Sequence, residues 1–301
     1  MLDVKVASLL AVAKHKNITK AAGELALTQP AVSHHIKELE KQLGIKIFVR
    51  GKGSMLLTDA GEVAVRYAKR MNSLNDKLHT AIADGERQVT RLRVGITHTA
   101  ESNYVAEVLA KYSNENDGII ITIITDSIKN LYTMLENYEI DLAIVEGNLP
   151  AGSQFNSLLL DTDYLVCAVC NDNPLAKHAM VTLADLRTQR MILRSAKSGT
   201  VNLLGASLAS INQSIDSLNV VMEVDNIATI KDLIRMNLGV SILPRSTCMN
   251  EVNKGKMTIL PVENMSMIRE TNIVYQKDFS HIEILRDITE LYKRTVSAAR
   301  T

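Results

Sequence analysis

The chain has 301 residues, of which 46% are hydrophobic and 22% charged, and its formal net charge is +1. This length exceeds one ordinary domain, so two or three domains are expected, and the composition excludes disordered and collagen-like chains. No apolar run approaches the roughly 18 residues of a membrane-spanning helix, and the N-terminus lacks a signal-peptide core. We therefore expect a cytoplasmic protein without a membrane partner, and the three cysteines are consistent with such a reducing compartment.

The charge is distributed unevenly along the chain. Residues 1–90 contain 14 Lys and Arg against 9 Asp and Glu, whereas residues 91–301 contain 20 against 24. A basic N-terminal third indicates a polyanionic partner for that part alone. An excess of a few charges also arises by chance, so charge alone leaves this partner open.

Residues 2–44 predict three short helices. The third helix follows Thr28, which suits the N-cap, and ends near Gly44, which suits the C-terminal stop. Pro30 is tolerated in its first turn because the missing N–H would have no partner there. Two short apolar runs then flank the Gly-Lys-Gly turn at residues 51–53 and predict a β-hairpin.

The third helix has two different faces. At about 100° per residue the apolar side chains fall on one side, which is expected to be buried: Val32, Ile36, Leu39 and Leu43. The opposite side carries Pro30, Ser33, His34, Lys37 and Lys41. Hydroxyl, imidazole and ammonium groups on one outward face suit base edges and phosphates in a major groove. The alternative is a solvated amphipathic helix in a small bundle, and periodicity alone does not separate the two.

Residues 59–88 predict one long helix, for which Thr58 can serve as the cap. Its heptad positions a and d carry an apolar seam formed by Ala64, Tyr67, Met71, Leu74, Leu78 and Ala81. A helix of this length has no core of its own, so the seam predicts pairing with a second copy. The alternative is that the helix packs on its own domain.

From Arg91 onward, strands and helices alternate. This pattern predicts a mostly parallel sheet with helices on both faces. The roughly 210 remaining residues can hold two subdomains with a cleft between them.

The first 61 residues resemble the LysR-type transcriptional regulators. The matching positions are Ala21-Ala22, Leu25, Gln29-Pro30-Ala31-Val32-Ser33, Ile36, Leu39-Glu40, Gly44, Phe48, Arg50 and Thr58-Asp59-Ala60-Gly61. Weaker matches continue at residues 92–95, 141–144 and 239–244. Leu10 and Ile47 depart from the family pattern but keep buried apolar side chains. His34 stands where Arg or Gln is frequent, which puts the base preference in doubt.

The resemblance implies a winged helix-turn-helix, a long linker helix and a two-lobed α/β effector domain like a periplasmic binding protein. The implied boundaries are 1–58 for the DNA-binding domain, 59–88 for the linker and dimerisation helix, and 89–301 for the effector-binding domain. Lobe I would comprise residues 89–161 and 267–301, and lobe II residues 162–266.

The resemblance further implies a regulator that binds duplex DNA and is controlled by a small molecule. It implies a homodimer paired through Tyr67, Met71, Leu74 and Leu78, a homotetramer as a further assembly, and RNA polymerase as a further candidate partner. The implied DNA-binding residues are Thr28, Gln29, Pro30, Ser33, His34, Lys37, Arg50 and Lys52. For Arg50 a structural ion pair is the alternative role.

The effector is expected between the two lobes, at loops rich in hydroxyl groups. The expected residues are Thr97, His98, Thr99, Ser102, Ser127, Ser198, Gly199 and Thr200. Hydroxyls and free N–H groups at helix starts favour a small anionic or carboxylate ligand. Ordinary helix capping uses the same residue types and is the alternative.

Other chemistry has weaker support in the sequence. Cys167 and Cys170 lie three apart in an apparent strand and would point to opposite faces, which disfavours a zinc or redox pair. The histidines have no metal-ligand spacing, and neither a nucleophile elbow nor a phosphate-binding glycine motif is found. We therefore expect no cofactor, no metal and no enzymatic activity. An enzyme or a solute-binding component built on the α/β lobes remains the competing hypothesis.

Overall fold

A computed structural model of the chain describes residues 3–51, 54–149 and 152–300. The chain forms two compact units, one of residues 1–91 with 133–140 and the other of residues 92–132 with 141–301. The first unit contains the three predicted N-terminal helices, and the second contains most of the alternating strands and helices.

Three helices build the core of the first unit: α1 (Val4–His15), α2 (Ile18–Glu24) and α3 (Gln29–Leu43). Each begins at a capping side chain, and for α3 this is Thr28, whose Oγ1 accepts a hydrogen bond from the N–H of Ala31 at 3.3 Å. Val12, Ala21 and Val32 are completely buried between the helices. The buried face predicted for α3 is confirmed except at Leu43, which is 54% exposed in the last turn and lies outside the core.

A short hairpin and a long helix complete the N-terminal region. The strands β1 (Phe48–Arg50) and β2 (Met55–Leu57) pair antiparallel, as predicted. Helix α4 (Asp59–Arg87) follows, and Thr58 caps it by accepting a hydrogen bond from the N–H of Gly61 at 2.9 Å. Both the hairpin and the cap agree with the sequence prediction.

The remaining strands are β3 (Thr90–Ile96), β4 (Ile119–Thr125), β5 (Leu142–Glu146), β6 (Phe155–Val169), β7 (Met191–Leu193), β8 (Val220–Glu223), β9 (Ser241–Pro244), β10 (Thr258–Leu260) and β11 (Ile268–Gln276). The remaining helices are α5 (His98–Glu101), α6 (Val105–Glu115), α7 (Ile128–Glu136), α8 (Leu183–Thr188), α9 (Gly199–Ser210), α10 (Ile227–Arg235), α11 (Arg245–Asn253) and α12 (Ile282–Arg300). Between β3 and β4 the chain forms two helices, α5 and α6.

The main sheet has seven strands in the order β10-β6-β11-β5-β3-β4, with β9 also paired to β6. Strand β3 is parallel to β5, but β11 is antiparallel to both β5 and β6, and β6 is antiparallel to β9 and β10. The expectation of a mostly parallel sheet is therefore wrong. The reason is that β6 and β11 are long strands that run antiparallel to each other and to their outer neighbours.

Strands β6 and β11 join two lobes, each with its own core. In lobe I the core includes Val94, Ile144 and Ile273, whereas in lobe II it includes Leu186 and Val240. The first half of β6 pairs with β11, and its last residues pair with β9 and β10. The predicted two-lobed α/β architecture is thus confirmed, and a cleft lies where the lobes face each other.

Candidate DNA-binding and effector sites

The start of α3 presents a polar surface. Gln29, Pro30, His34 and Lys37 are exposed, and Ser33 is partly buried on the same side. His34 Nε2 lies 3.9 Å from a carboxylate oxygen of Glu38, whereas no ion pair joins Lys37 to any described acidic side chain. This side can therefore offer an amide, a hydroxyl, an imidazole and an ammonium group to a ligand.

Glu40 ties α3 to the hairpin. Its carboxylate accepts hydrogen bonds from the N–H of Ile47 at 2.9 Å and of Phe48 at 3.4 Å, and from Lys46 Nζ at 2.7 Å. Burial opposes the charged form, but these three donors outweigh it and hold the pKa of Glu40 below its usual value. The carboxylate therefore fixes the hairpin relative to α3.

Replacing Glu40 by glutamine is expected to destabilise the N-terminal unit at neutral pH by about 1–3 kcal/mol, because the partly buried acceptor loses its charge, which removes the hydrogen bond from Lys46 and weakens those from Ile47 and Phe48. The folded-state pKa is lowered, so this stabilisation is present above the unfolded value of about 4.3 and is lost as the pH falls through the folded value. Thermal unfolding of wild type and Glu40→Gln at neutral and acidic pH measures this. A difference in stability that stayed constant into acid would contradict the assignment.

The hairpin carries one further predicted DNA contact within the described residues. Arg50 is exposed at the end of β1, and no ion pair joins it to another described residue. The alternative role of Arg50 as a structural ion-pair partner thus has no support in the described part of the chain. Lys52 lies outside the described residues.

Helix α4 presents an apolar stripe to solvent. The exposed large apolar residues are Val63, Tyr67, Met71, Leu74, Leu78 and Ile82, with exposures between 43% and 61%. Val65 and Ala68, by contrast, are buried in the core of the N-terminal unit, and Ala64 is partly buried against it. The helix therefore packs on its own domain through one side near its start and leaves a second apolar side uncovered along its length.

Two of the predicted effector residues are helix caps. Thr97 Oγ1 accepts from the N–H of Ala100 at 3.1 Å, and Ser198 Oγ accepts from the N–H of Val201 at 3.2 Å. The capping interpretation therefore holds for both. Ser127 is similar, since its Oγ accepts from the N–H of Asn130 at 3.3 Å. The hydroxyl of Ser102 donates to the carbonyl of His98 within its own turn at 3.2 Å.

The predicted Thr99 is joined to lobe II by Arg194, a residue that was not predicted. Arg194, at the end of β7 in lobe II, donates from Nη1 to Thr99 Oγ1 in lobe I at 3.4 Å and from Nε to the carbonyl of Asp225 at 3.2 Å. Thr97 Oγ1 donates to Glu146 Oε1 at 2.7 Å. Thr97 and Thr99 thus contribute to a polar network that spans the cleft.

The start of α9 also faces lobe I. A Cβ placed on Gly199 would lie 4.0 Å from Ile128 Cδ1. The hydroxyl of Thr200 is buried without a hydrogen-bond partner among the described residues. At the mouth of the cleft, a hydrogen bond from Ser195, with Arg194 and His98 nearby, holds the pKa of Asp225 below its usual value.

A cavity of about 480 Å³ lies between the lobes. Its walls are Glu146, Gly147, Asn148, Gly199, Leu203, Ile268, Arg269 and Glu270. Of the predicted effector residues only Gly199 is among them. Thr97 is connected to the wall through Glu146, whereas His98, Ser102 and Ser127 are not part of it.

Sequence reasoning missed three charged residues of the cleft: Glu146, Arg194 and Arg269. Arg194 and Arg269 are 7% and 9% exposed, which is rare for arginine. Alternation along β11 gave no signal for Arg269, since Thr271, Asn272, Ile273 and Val274 are all buried and both sides of the strand are covered there.

Two family models match the chain. Residues 5–62 match the bacterial regulatory helix-turn-helix protein of the lysR family, and residues 85–297 match the LysR substrate binding domain. The chain belongs to the LysR family. Like other members of the family, it is a transcriptional regulator with a helix-turn-helix DNA-binding domain and an effector-binding domain.

Curated relatives match over most of their length. The HTH-type transcriptional activator CmpR of Synechocystis sp. is 30% identical over 268 residues, which cover 89% of this chain and 86% of CmpR. The RuBisCO operon transcriptional regulator of Allochromatium vinosum is 27% identical over 270 residues, which cover 89% of this chain and 87% of the relative. Both are regulators of transcription by name.

Solved structures of full-length regulators have the same fold. CbnR complexed with its target DNA has a TM-score of 0.68 at 17% identity, with 98% of this chain and 100% of CbnR covered. A full-length OxyR variant from Pseudomonas aeruginosa has a TM-score of 0.65 at 18% identity, with 97% and 95% covered. At these identities the likeness concerns the fold.

Membrane-spanning helices and metal-binding clusters do not occur in the described part of the chain. Each helix within the described ranges is either too short or too polar to cross a bilayer. Nor do three or more His, Cys, Asp or Glu side chains of these ranges come together in a way that could hold a metal ion.

Proposed function

We propose that this LysR-type regulator reads its operator with the start of α3 and responds to a small anionic effector in the interlobe cleft. The observation that carries the DNA-binding part is the exposed polar side of α3 on a helix-turn-helix whose other side is buried. Gln29 can bind an adenine edge, Pro30 can contact a thymine methyl, and Ser33 can bond to either base type. No catalytic step is proposed.

Other residues would bind the DNA backbone. Thr28 and His34 lie beside the reading residues, and Lys37 and Arg50 carry exposed positive charge with no described ion-pair partner. Such groups neutralise phosphates, which adds affinity and fixes the register but carries no sequence information. We assign the same role to Lys52. Because duplex DNA is the partner, we place the protein in the cytoplasm.

The base-reading assignment is tested with Gln29→Ala and Ser33→Ala. Each is expected to weaken binding to an operator selected in vitro by about 1–3 kcal/mol per lost base contact, with little change for an unrelated duplex. Fluorescence anisotropy at one fixed salt concentration measures both affinities. Gln42→Ala is the matched control, because Gln42 is an exposed glutamine at the other end of the same helix. Equal weakening on both duplexes would refute the assignment.

Pairing of two chains would place two reading heads on one two-fold-related site. We propose the apolar stripe of α4 as the pairing surface, with Tyr67, Met71, Leu74 and Leu78 at its centre. Assembly of two such pairs into a tetramer, and a contact with RNA polymerase, are both compatible with this pairing. The effector would act by favouring one arrangement of the DNA-bound assembly over another, which requires different affinities for the two arrangements.

Two of the three cysteines, Cys167 and Cys248, do not support a redox signal. Burial raises the pKa of the Cys167 thiol and of the Cys248 thiol to about 12 each. Both thiols therefore stay protonated at neutral pH, and a protonated buried thiol is a poor nucleophile towards an oxidant. A solved structure of OxyR from Corynebacterium glutamicum holds bound H2O2, but these two cysteines do not supply a reactive thiolate.

A further inference from the structure

We propose that Arg269 is the anchor of the effector site and that its Nε–Nη2 edge binds the oxyanion group of a small molecule. This inference rests on the proposed function, since it names a ligand group for the same cleft. Arg269 is 9% exposed, it lines the cavity between the lobes, and neither Nε nor Nη2 has a hydrogen-bond partner among the described residues.

The unpaired nitrogens of Arg269 lower the stability of the ligand-free protein. A buried guanidinium with two nitrogens that lack hydrogen-bond partners loses their hydration without compensation. Nε and Nη2 lie on one edge of the planar group, and this edge matches the spacing of two oxygens of a carboxylate, phosphate or sulfate. Both nitrogens are covered in the ligand-free chain, so an oxyanion would reach this edge only once the side chain turns toward the cavity, where it would supply both missing hydrogen bonds and a compensating charge.

The carboxylate opposite Arg269 in the strand pairing already accepts other hydrogen bonds. Asp163 on β6 stands opposite Arg269 in the strand register. Its Oδ1 accepts from the N–H of Tyr164 at 2.9 Å and of Ser246 at 3.3 Å, and its Oδ2 accepts from Ser246 Oγ at 2.7 Å. No ion pair joins Asp163 to Arg269 within the described residues. The side chain of Arg269 is thus left for a ligand.

A second buried guanidinium strengthens the case for an anion. Arg194 is 7% exposed, and burial lowers its pKa; the charges of Asp225 and Glu146 act against this shift, and the charge of Arg269 adds to it. The two carboxylates offset the burial and the repulsion only in part, so a further negative charge close to both guanidinium groups would stabilise them. Arg194 also bonds to Thr99 across the lobes, so an anion close to both guanidinium groups would lie where the two lobes meet.

The rest of the cavity indicates what else the molecule carries. Glu146 and Glu270 line the same space, and carboxylates accept hydrogen bonds but donate none when ionised. We therefore assign a ligand that combines an oxyanion group with hydroxyl donors. A volume of about 480 Å³ lies within the usual range for small-molecule sites.

The test uses the full chain and named probes at constant ionic strength: glycerate, butyrate, inorganic phosphate and sulfate. Thermal shift and calorimetric titration give an apparent Kd for each, because a ligand of the folded state raises the melting temperature. Glycerate, phosphate or sulfate is expected to stabilise the wild type, and Arg269→Gln is expected to weaken that Kd at least tenfold. Arg269→Lys should give an apparent Kd between those of the wild type and Arg269→Gln, since an ammonium group keeps the charge but lacks the two parallel N–H donors of a guanidinium. Arg286→Gln, an exposed arginine on α12, is the matched control and should behave like wild type.

The probes also separate the ligand classes. Tighter binding of glycerate than of butyrate supports a hydroxylated carboxylate, whereas tighter binding of phosphate or sulfate supports a phosphoryl or sulfuryl group at the same anchor. If butyrate binds as tightly as glycerate, the assigned hydroxyl donors are wrong. If the wild type and Arg269→Gln are stabilised equally by every probe, or not at all, the anchor itself is refuted.

Stability without ligand gives a second readout. Removing an unpaired buried charge should leave the melting temperature of Arg269→Gln equal to or above that of the wild type. A large decrease would show that Arg269 has a structural partner, which overturns the proposal. Affinity of the ligand-free variant for the selected operator should be unchanged, so failure of the anchor can be told apart from failure of the DNA-binding assignment.

Discussion

Replacing Gly61 by alanine is expected to disrupt the N-terminal unit, at a cost of about 3 kcal/mol or more. A Cβ at this position would lie 2.1 Å from the carbonyl oxygen of Ile47 and 3.0 Å from its carbonyl carbon. These are backbone atoms of a residue that is completely buried, so they cannot rotate away. Overpacking a core typically lowers the free energy of unfolding by about 1–3 kcal/mol. A clash with backbone atoms that cannot move is expected to cost the upper value of this range or more.

The clash would also break the contacts that join the hairpin to α4. The carbonyl of Ile47 accepts a hydrogen bond from the N–H of Thr58 at 3.0 Å, and its N–H is bound by Glu40. Moving Ile47 to make room for a methyl group strains both. The predicted consequence is loss of the hairpin position and, with it, loss of duplex binding.

Calorimetry of the full chain and anisotropy with a duplex measure the effect. Gly85→Ala is the control, because Gly85 is exposed on the same helix and a Cβ there would have no neighbouring atom within 4 Å. That substitution should stabilise α4 by about 0.5–1 kcal/mol through helix propensity. If Gly61→Ala unfolded at the wild-type temperature, the close approach to Ile47 would be wrong.

Local signals in the sequence predicted the N-terminal region well. Thr28, Gly44 and Thr58 mark helix ends by interactions with residues no more than four positions away, so their roles can be read from the neighbouring sequence. The buried side of α3 follows from helix periodicity in the same way. Leu43 departs from it because periodicity assigns a side of the helix but does not say how far the covering elements extend.

The sheet could be predicted only in part. Strands β6 and β11 are long and mostly antiparallel to their neighbours, and their pairing joins residues about a hundred positions apart. Strand–helix alternation indicates α/β structure, but it does not indicate whether strands that are far apart in the sequence pair in a parallel or an antiparallel direction. The expectation of a mostly parallel sheet failed for this reason.

The sequence predicted where the cleft lies, between the two lobes, but it did not predict most of the side chains that line it. Thr97 and Ser198 stand at helix starts, which a sequence can indicate, and both are used as caps. Arg194 and Arg269 become a pair only through the fold, since Arg194 directly follows β7 and Arg269 is the second residue of β11. A buried charge is informative because it is rare, and burial is a property of tertiary structure.

Replacing both Leu74 and Leu78 by glutamate is expected to prevent the proposed pairing of two chains through α4 and to weaken operator binding by about 100-fold or more. Both side chains lie on the exposed apolar stripe of α4, at 46% and 56% exposure. Two carboxylates facing two more across a two-fold axis repel, and they replace the apolar contacts that a helix pair needs. The helix-turn-helix of one chain then binds its half-site alone, without the high effective concentration that a second helix-turn-helix, held beside it by pairing, would provide.

The fold of each chain should survive the double substitution. Glutamate and leucine have similar helix propensities, and neither Leu74 nor Leu78 is part of the core of the N-terminal unit. Circular dichroism and thermal unfolding check this, and analytical ultracentrifugation reports a smaller assembly than that of the wild type. Binding to a duplex with one half-site should change little, whereas binding to the complete operator falls.

Ala83→Glu is the matched control for added charge. Ala83 is exposed on the side of α4 away from the stripe, and Arg87 stands four residues later, where it can pair with the new carboxylate. This variant should retain both the wild-type assembly and the wild-type affinity. An unchanged sedimentation coefficient for the double variant would show that α4 does not pair the chains. The exposed stripe would then have a different partner. Two chains on a two-fold operator would have to pair through contacts between their effector-binding domains.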